Sequence, residues 1–260
     1  MRPALHPDFL TRPLAHRAFH DLTAGRPENS RAAVSAAIAA GYAIEIDLQL
    51  SADGRAIVFH DYSLARLAEA EGPLRSRSAA ELAAIGLRGG AEGIPDFRTI
   101  LDLVAGRVPL LVEIKDQDGA MGPSIGALEA AALADLARYR GPVALMSFNP
   151  HSVAEIGRLR PDLPRGLVTS AYRPEDWHPL TPETCNRLRD MPDVERIGAS
   201  FISHEWRDLA RPRVAEVQAA GLDLLCWTIR SGEEEAEARQ IARNVTFEKY
   251  LAEIPAGAGA

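Results

Sequence analysis

Two carboxylates stand two residues apart inside an aliphatic run, Ile44-Glu45-Ile46-Asp47-Leu48, and this spacing is the first in the chain that can do chemistry. On a strand successive side chains alternate faces, so Glu45 and Asp47 point one way while Ile44, Ile46 and Leu48 point the other. Like charges on an inner face are disfavoured unless protons or a cation compensate them. Taken alone, the pair reads as well as one acid paired with an arginine and another at a solvent-exposed rim. Glu113 repeats the pattern in Leu110-Leu111-Val112-Glu113-Ile114, and three oxygen ligands from adjacent strands suit a hard divalent ion, Mg²⁺ or Ca²⁺. His16 and His60 each close an apolar run and each precedes a charged residue. A lone histidine is more often structural than catalytic. Two at neighbouring strand ends, beside three carboxylates, point to proton transfer near neutral pH. Arg17 and Lys115 add fixed positive charge for a phosphoryl oxygen, the first as a planar fork and the second as a point charge. The bland alternative for either is a salt bridge to Glu45 or Asp47. It is weaker for Lys115, because of 29 basic residues only Lys115 and Lys249 are lysines.

Such groups must be brought together by the elements that carry them. Eight apolar runs of strand length recur along the chain: Leu14 to Arg17, Ala43 to Leu50, Leu110 to Lys115, Val143 to Phe148, Gly166 to Thr169, Gly198 to Ile202, Leu222 to Ile229 and Asn244 to Phe247. Alanine-rich amphipathic stretches separate them at Arg31 to Ala40, Phe97 to Ala105, Ile125 to Arg140, Ser152 to Leu159, Arg207 to Ala220 and Glu233 to Ala242. Eight strand-helix units predict an α/β fold, a (β/α)8 TIM barrel, with the chemistry at the C-terminal ends of the strands. One segment departs from the alternation. Asp53-Gly54 signals a turn, Ala56 to His60 reads as a hairpin strand, and a charged, glycine-containing stretch follows with a short helix near Ala79 to Ile85. The expectation is one barrel domain over residues 1–260, with a small insertion after the second strand at about 62–95 and a frayed tail from Pro255 to Ala260.

Composition narrows the partners. Hydrophobic residues make up 47% of the chain and charged residues 25%, as in an ordinary globular enzyme. A net charge of -7 gives no electrostatic reason to approach nucleic acid, and no basic run suits an anionic membrane surface. Cys185 and Cys226 lack metal or redox spacing. The first thirteen residues are interrupted by Pro3, His6, Pro7 and Asp8, and no stretch reaches the roughly 18 apolar residues of a membrane span. The expected setting is the cytoplasm, and the expected partner is a small molecule, with no nucleic acid and no membrane insertion.

The ordered segments His16-Arg17, Pro27-Glu28-Asn29-Ser30, Glu45-Ile46-Asp47, Asp53-Gly54, Phe59-His60-Asp61, Ile94-Pro95, Glu113-Ile114-Lys115 and Trp227-Thr228 resemble the glycerophosphodiester phosphodiesterase family, whose members are (β/α)8 barrels. The resemblance implies metal-dependent hydrolysis of a phosphodiester such as glycerophosphocholine to an alcohol and sn-glycerol 3-phosphate. It implies Glu45, Asp47 and Glu113 as ligands of one divalent cation, His16 and His60 as general acid and base, and Arg17 and Lys115 on the phosphate. Glu28 and Asn29 would support the site, and Trp227 would line the alcohol end of the pocket. In two places the chain departs from the family. Ala18 stands where the family has glycine after His-Arg, and Asn244 to Glu248 replaces its acidic, glycine-containing eighth strand end. The alternatives are a phosphodiesterase acting on lysophospholipid or phosphoinositide headgroups, and a non-catalytic phosphate-binding barrel. Among other residues, His204 reads as a rim histidine of the sixth strand, His20, His151 and His178 as surface residues, and Ser147 and Asn149 as ambiguous.

Overall fold

Short buried strands alternating with helices are what a computed structural model of the chain displays over residues 2–255; most of the tail expected to fray lies outside these described residues. In chain order the elements are α1 (Asp8–Thr11), β1 (Leu14–Ala15), α2 (Arg31–Ala40), β2 (Ala43–Leu50), β3 (Ala56–Val58), α3 (Ala79–Ala84), α4 (Phe97–Val104), β4 (Leu110–Ile114) and α5 (Ala127–Leu136). There follow β5 (Val143–Ser147), α6 (Pro150–Leu159), β6 (Arg165–Thr169), α7 (Pro182–Arg189), β7 (Phe201–Glu205), α8 (Pro212–Ala219), β8 (Asp223–Ile229), α9 (Gly232–Ala238) and β9 (Asn244–Phe247). The fold is a (β/α)8 TIM barrel with one extra strand, β3, bonded to β2. The described residues group into two compact units, one of residues 14–115 and 126–143, the other of residues 2–13, 116–125 and 144–255.

In the first unit β2 is the central strand, parallel to β1 and β4 and antiparallel to β3. Seven of its eight residues are buried, which suits an apolar run covered on both faces. The β2–β3 turn closes on Gly54, whose φ of 75° lies where glycine carries no Cβ penalty. Helix α2 starts where the Ser30 hydroxyl accepts from the Ala33 amide and stops at Gly41, φ 79°. Helix α4 is capped by Asp96 and buries Phe97, Ile100, Leu101 and Val104, the i, i+3, i+4, i+7 stripe that makes it bind the sheet. The insertion is not a bare loop. Leu64, Ala68, Leu74, Leu82, Leu87 and Ile94 join Ile57 and Phe59 in a small core of their own, and each large side chain so buried contributes about 1.5–3 kcal/mol as an upper estimate. A capping box between Ser78 and Glu81 starts α3 within it.

In the second unit β5 to β9 run parallel, each beside the next. Strand β7 begins three residues later than the apolar pattern suggests, because Gly198 sits in a turn at φ 62° and the polar pair Ser203 and His204 continues the strand. His204 is therefore not a rim residue: it is 0% exposed. Its Nδ1 lies 2.8 Å from the Thr169 hydroxyl and its Nε2 lies 3.2 Å from Asp208, itself held by Arg211. A buried ring with both nitrogens engaged supports structure, and burial pushes its pKa down against the pull of Asp208. The helix expected over Arg207 to Ala220 starts only at Pro212, after a 3₁₀ turn, since proline fits the first helical turn and not the interior. Helix α7 was not expected. Its sequence is polar, and only Cys185 and Leu188 are buried. Cys185 and Cys226 are free and buried, and no described helix is long and apolar enough to cross a membrane.

Candidate active site

The pairing of β2 with β4 sets Asp47 directly opposite Glu113, and Glu45 lies two residues earlier on the same face of β2. One oxygen from each of the three carboxylates falls within 4.8 Å of the others, and the residues are 2%, 1% and 6% exposed. Lys115 lies between two of them, its Nζ 2.7 Å from Asp47 Oδ1 and 2.7 Å from Glu113 Oε1. The second oxygen of Asp47 accepts from Asn29 Nδ2 at 2.9 Å, with Arg17 Nε at 3.8 Å, and the Asp47 amide donates to Asn29 Oδ1. Glu45 Oε2 accepts from the Arg17 amide at 2.9 Å.

Three buried acids thus face two cations, and the shortfall falls on one of them. Burial resists ionisation of Asp47, but Lys115, His60 and Arg17 hold its carboxyl well below the usual range. Glu45 is pushed well above that range, by burial first and then by Asp47 and Glu113. Lys115 is buried too, and its two carboxylate neighbours nonetheless raise its pKa. The donor set fits a hard divalent cation, which would balance the third carboxylate with oxygen ligands alone. Glu45, Asp47 and Glu113 are the residues that could hold it.

His16 follows β1 directly, and the register pairs Ala15 with Ile44, so the histidine comes level with Glu45. The next two residues turn in the left-handed region, Arg17 at φ 52° and Ala18 at φ 64°. This turn lets both amides donate to Glu45, that of Arg17 to its side chain and that of Ala18 to its carbonyl at 2.9 Å. Ala18 is 1% exposed, and its methyl group occupies a backbone conformation that costs an L-residue about 1–2 kcal/mol. Glycine there would regain that cost but bring about 0.4–1 kcal/mol of unfolded-chain entropy. The Ala18→Gly variant is therefore expected to be more stable by up to about 1.5 kcal/mol in chemical denaturation; a destabilised variant would contradict the strain.

His60 follows β3. The Phe59 amide donates to the Asp47 carbonyl and Gln49 Nε2 donates to the His60 carbonyl at 3.0 Å, so the histidine's backbone is tied to β2. Its Nδ1 lies 2.6 Å from Asp61 Oδ1. Asp61 also accepts from Arg66 through both oxygens, at 2.6 and 2.7 Å. Arg66 reaches both oxygens of Glu28 at 3.0 Å, and Glu28 in turn accepts from Arg17 at 2.9 Å. Arg17, Glu45, Asp47, His60, Glu113 and Lys115 therefore share one connected neighbourhood in this unit, and His16 adjoins it through the β1–β2 register. Lys115 makes the ion pair weighed against a phosphate role, with Asp47 and also with Glu113; Arg17 pairs chiefly with Glu28. Trp227 belongs to the other unit, on β8, where its indole N–H donates to the Ser203 carbonyl at 3.0 Å and its ring meets Phe148 edge-on at 5.6 Å. Asn149 caps α6 and donates to Asp116 at 2.7 Å, which gives it a structural task. Asp61 stands in the Phe59-His60-Asp61 segment without a role of its own, and Arg66 is not singled out by the sequence at all. Adjacency to His60 marked Asp61, but nothing distinguished Arg66 among the many arginines.

A family model, the glycerophosphoryl diester phosphodiesterase family, matches residues 16–246. A glycerophosphodiester phosphodiesterase of Caldanaerobacter subterraneus subsp. tengcongensis is 29% identical over 160 residues, 58% of this chain and 65% of that protein. The match thus spans just under two thirds of that relative's length. Among solved structures, a phosphodiesterase of Oleispira antarctica in complex with the product sn-glycerol-3-phosphate superposes with a TM-score of 0.76 at 23% identity, over 93% of this chain and 94% of that one. A glycerophosphodiester phosphodiesterase from Parabacteroides distasonis superposes with a TM-score of 0.72 at 20% identity, over 91% and 92%. These likenesses carry the barrel fold.

Proposed function

Since the chain belongs to the glycerophosphoryl diester phosphodiesterase family, we propose that it hydrolyses glycerophosphodiesters to an alcohol and sn-glycerol 3-phosphate, with His16 and His60 as general acid and base. The observation that carries this reading is the buried cluster of Glu45, Asp47 and Glu113 set beside both histidine segments. A divalent cation held there would offset charge on the phosphoryl oxygens. Arg17 and Lys115 are assigned to the phosphate, Lys115 from the place where it already bridges Asp47 and Glu113. The contact from Asp61 to His60 Nδ1 orients the ring and leaves Nε2 for the substrate. One histidine takes the proton of the attacking hydroxyl, the glycerol hydroxyl next to the phosphate. That oxygen bonds to phosphorus, the bond to the alcohol breaks, and the other histidine protonates the leaving alkoxide. Water then opens the cyclic phosphate with the roles exchanged. The bound sn-glycerol-3-phosphate of the Oleispira antarctica phosphodiesterase supports the choice of product.

A substrate panel tests this directly. Water-soluble glycerophosphocholine and glycerophosphoethanolamine are expected to yield sn-glycerol 3-phosphate faster than lysophospholipid dispersions yield their products. Faster turnover of the dispersions would move the assignment to lipid substrates.

A further inference from the structure

Arg66 projects from the insertion between two residues buried in its small core, Leu64 and Ala68, and the Ala68 amide donates to the Leu64 carbonyl at 2.9 Å. Its backbone is thereby fixed although its side chain is 49% exposed. The guanidinium spends its donors on two carboxylates at once. Nε and one terminal nitrogen fork to Asp61, at 2.6 and 2.7 Å, and the two terminal nitrogens fork to Glu28, both at 3.0 Å. The acceptor atoms are shared with the candidate site: Asp61 Oδ1 is also the partner of His60 Nδ1, and Glu28 Oε1 is also the partner of Arg17. We propose that Arg66 is a positioning residue, through which the insertion holds His60 and Arg17 in one geometry.

The physical case rests on the fork. A planar guanidinium can engage two carboxylates bidentately, which a lysine ammonium cannot do. Once it is removed, Asp61 and Glu28 lose the cation between them and Asp61 is free to turn away from the histidine. Which nitrogen of an imidazole carries the proton depends on the bond that the other makes, so His60 would lose its fixed tautomer. Arg66 is half exposed, and Glu28 and Asp61 keep Arg17 and His60 as partners without it, so the loss falls on orientation rather than on folding.

The proposal rests on the diesterase reading above, and its test separates the two. Arg66→Ala is expected to melt with the wild type and to lower kcat about 10–100-fold with a smaller change in KM. Arg66→Lys should remain impaired, and millimolar guanidinium should restore part of the Arg66→Ala rate where ammonium does not. Adding Arg66→Ala to Asp61→Asn should cost little beyond Asp61→Asn alone, since both act through one contact. Independently of turnover, ¹⁵N spectra of the histidines should show His60 as one tautomer in the wild type and as a tautomer mixture in Arg66→Ala. Wild-type kcat together with an unchanged His60 spectrum in Arg66→Ala would overturn the proposal, as would losses that multiply in the double variant. Failure of the diesterase reading looks different: the wild type itself releases no sn-glycerol 3-phosphate, whatever the spectra show.

Discussion

Replacing His60 by alanine is expected to lower kcat by about 10²–10⁴-fold, the usual contribution of one positioned acid or base. His16→Ala should fall in the same range. The two losses should not multiply, because a proton relay with one end missing is already broken. Folding should survive both changes. The His60 side chain is 29% exposed and its backbone is held by bonds from Gln49 that a methyl group does not disturb. Steady-state rates on glycerophosphocholine with thermal melts beside them check this. A His60→Ala enzyme within tenfold of the wild type, or one that has unfolded, would contradict the role given to the histidine. A barrel that only binds phosphate would be indifferent to either substitution.

Lys115→Met is expected to destabilise the protein by about 3–5 kcal/mol, the cost of leaving a buried charge without its partner. Lys115 is the ammonium shared by Asp47 and Glu113, with only 13% of its side chain exposed. Without it, three acids within 4.8 Å retain the Arg17 contacts, the Asn29 hydrogen bond and the nearby His60 as compensation. A divalent cation should then restore part of the lost stability, since it binds the folded state alone. Glu45→Gln should behave in the opposite way. Glu45 is the acid that burial, Asp47 and Glu113 already drive towards neutrality, so a neutral amide should leave the metal-free protein as stable or more so while removing a ligand and with it most of the activity. Melting temperatures with chelator and with excess Mg²⁺ or Ca²⁺ decide the point. Equal destabilisation by both variants would show that the cluster is a structural ion-pair network rather than a cation site.

The chemistry of this chain is unusually open to a reader of its sequence where strand periodicity governs it. Glu45, Asp47 and Glu113 announce themselves as acids inside aliphatic strands, and a period of two assigns their face. The ends of β2 and α2 coincide with the expected ones because Gly41, Asp53-Gly54 and Ser30 punctuate them locally. Strand β7 starts later than the apolar pattern suggests because buried Ser203 and His204 look like surface residues until β6 brings the Thr169 hydroxyl against the His204 ring. Helix α7 escaped because a helix with two buried side chains has hardly any apolar stripe. The link from Arg66 to Asp61 and Glu28 was hidden for a different reason. It joins Arg66 to Asp61 five residues away and to Glu28 thirty-eight away through the fold of an irregular insertion, and no periodicity encodes where such a segment lays its side chains. Lys115 was readable as charge, but whether it meets a carboxylate or a phosphate depends on distances, and in this structure it meets two carboxylates at 2.7 Å.

The most direct measurement is the release of sn-glycerol 3-phosphate from glycerophosphocholine by chelator-treated protein, with and without added Mg²⁺ or Ca²⁺. No release is expected with chelator and rapid release once the ion is supplied, with His16→Ala and His60→Ala slower by about 10²–10⁴-fold when the ion is present. Undiminished release in chelator, or no release with any divalent ion, would contradict the proposed reaction.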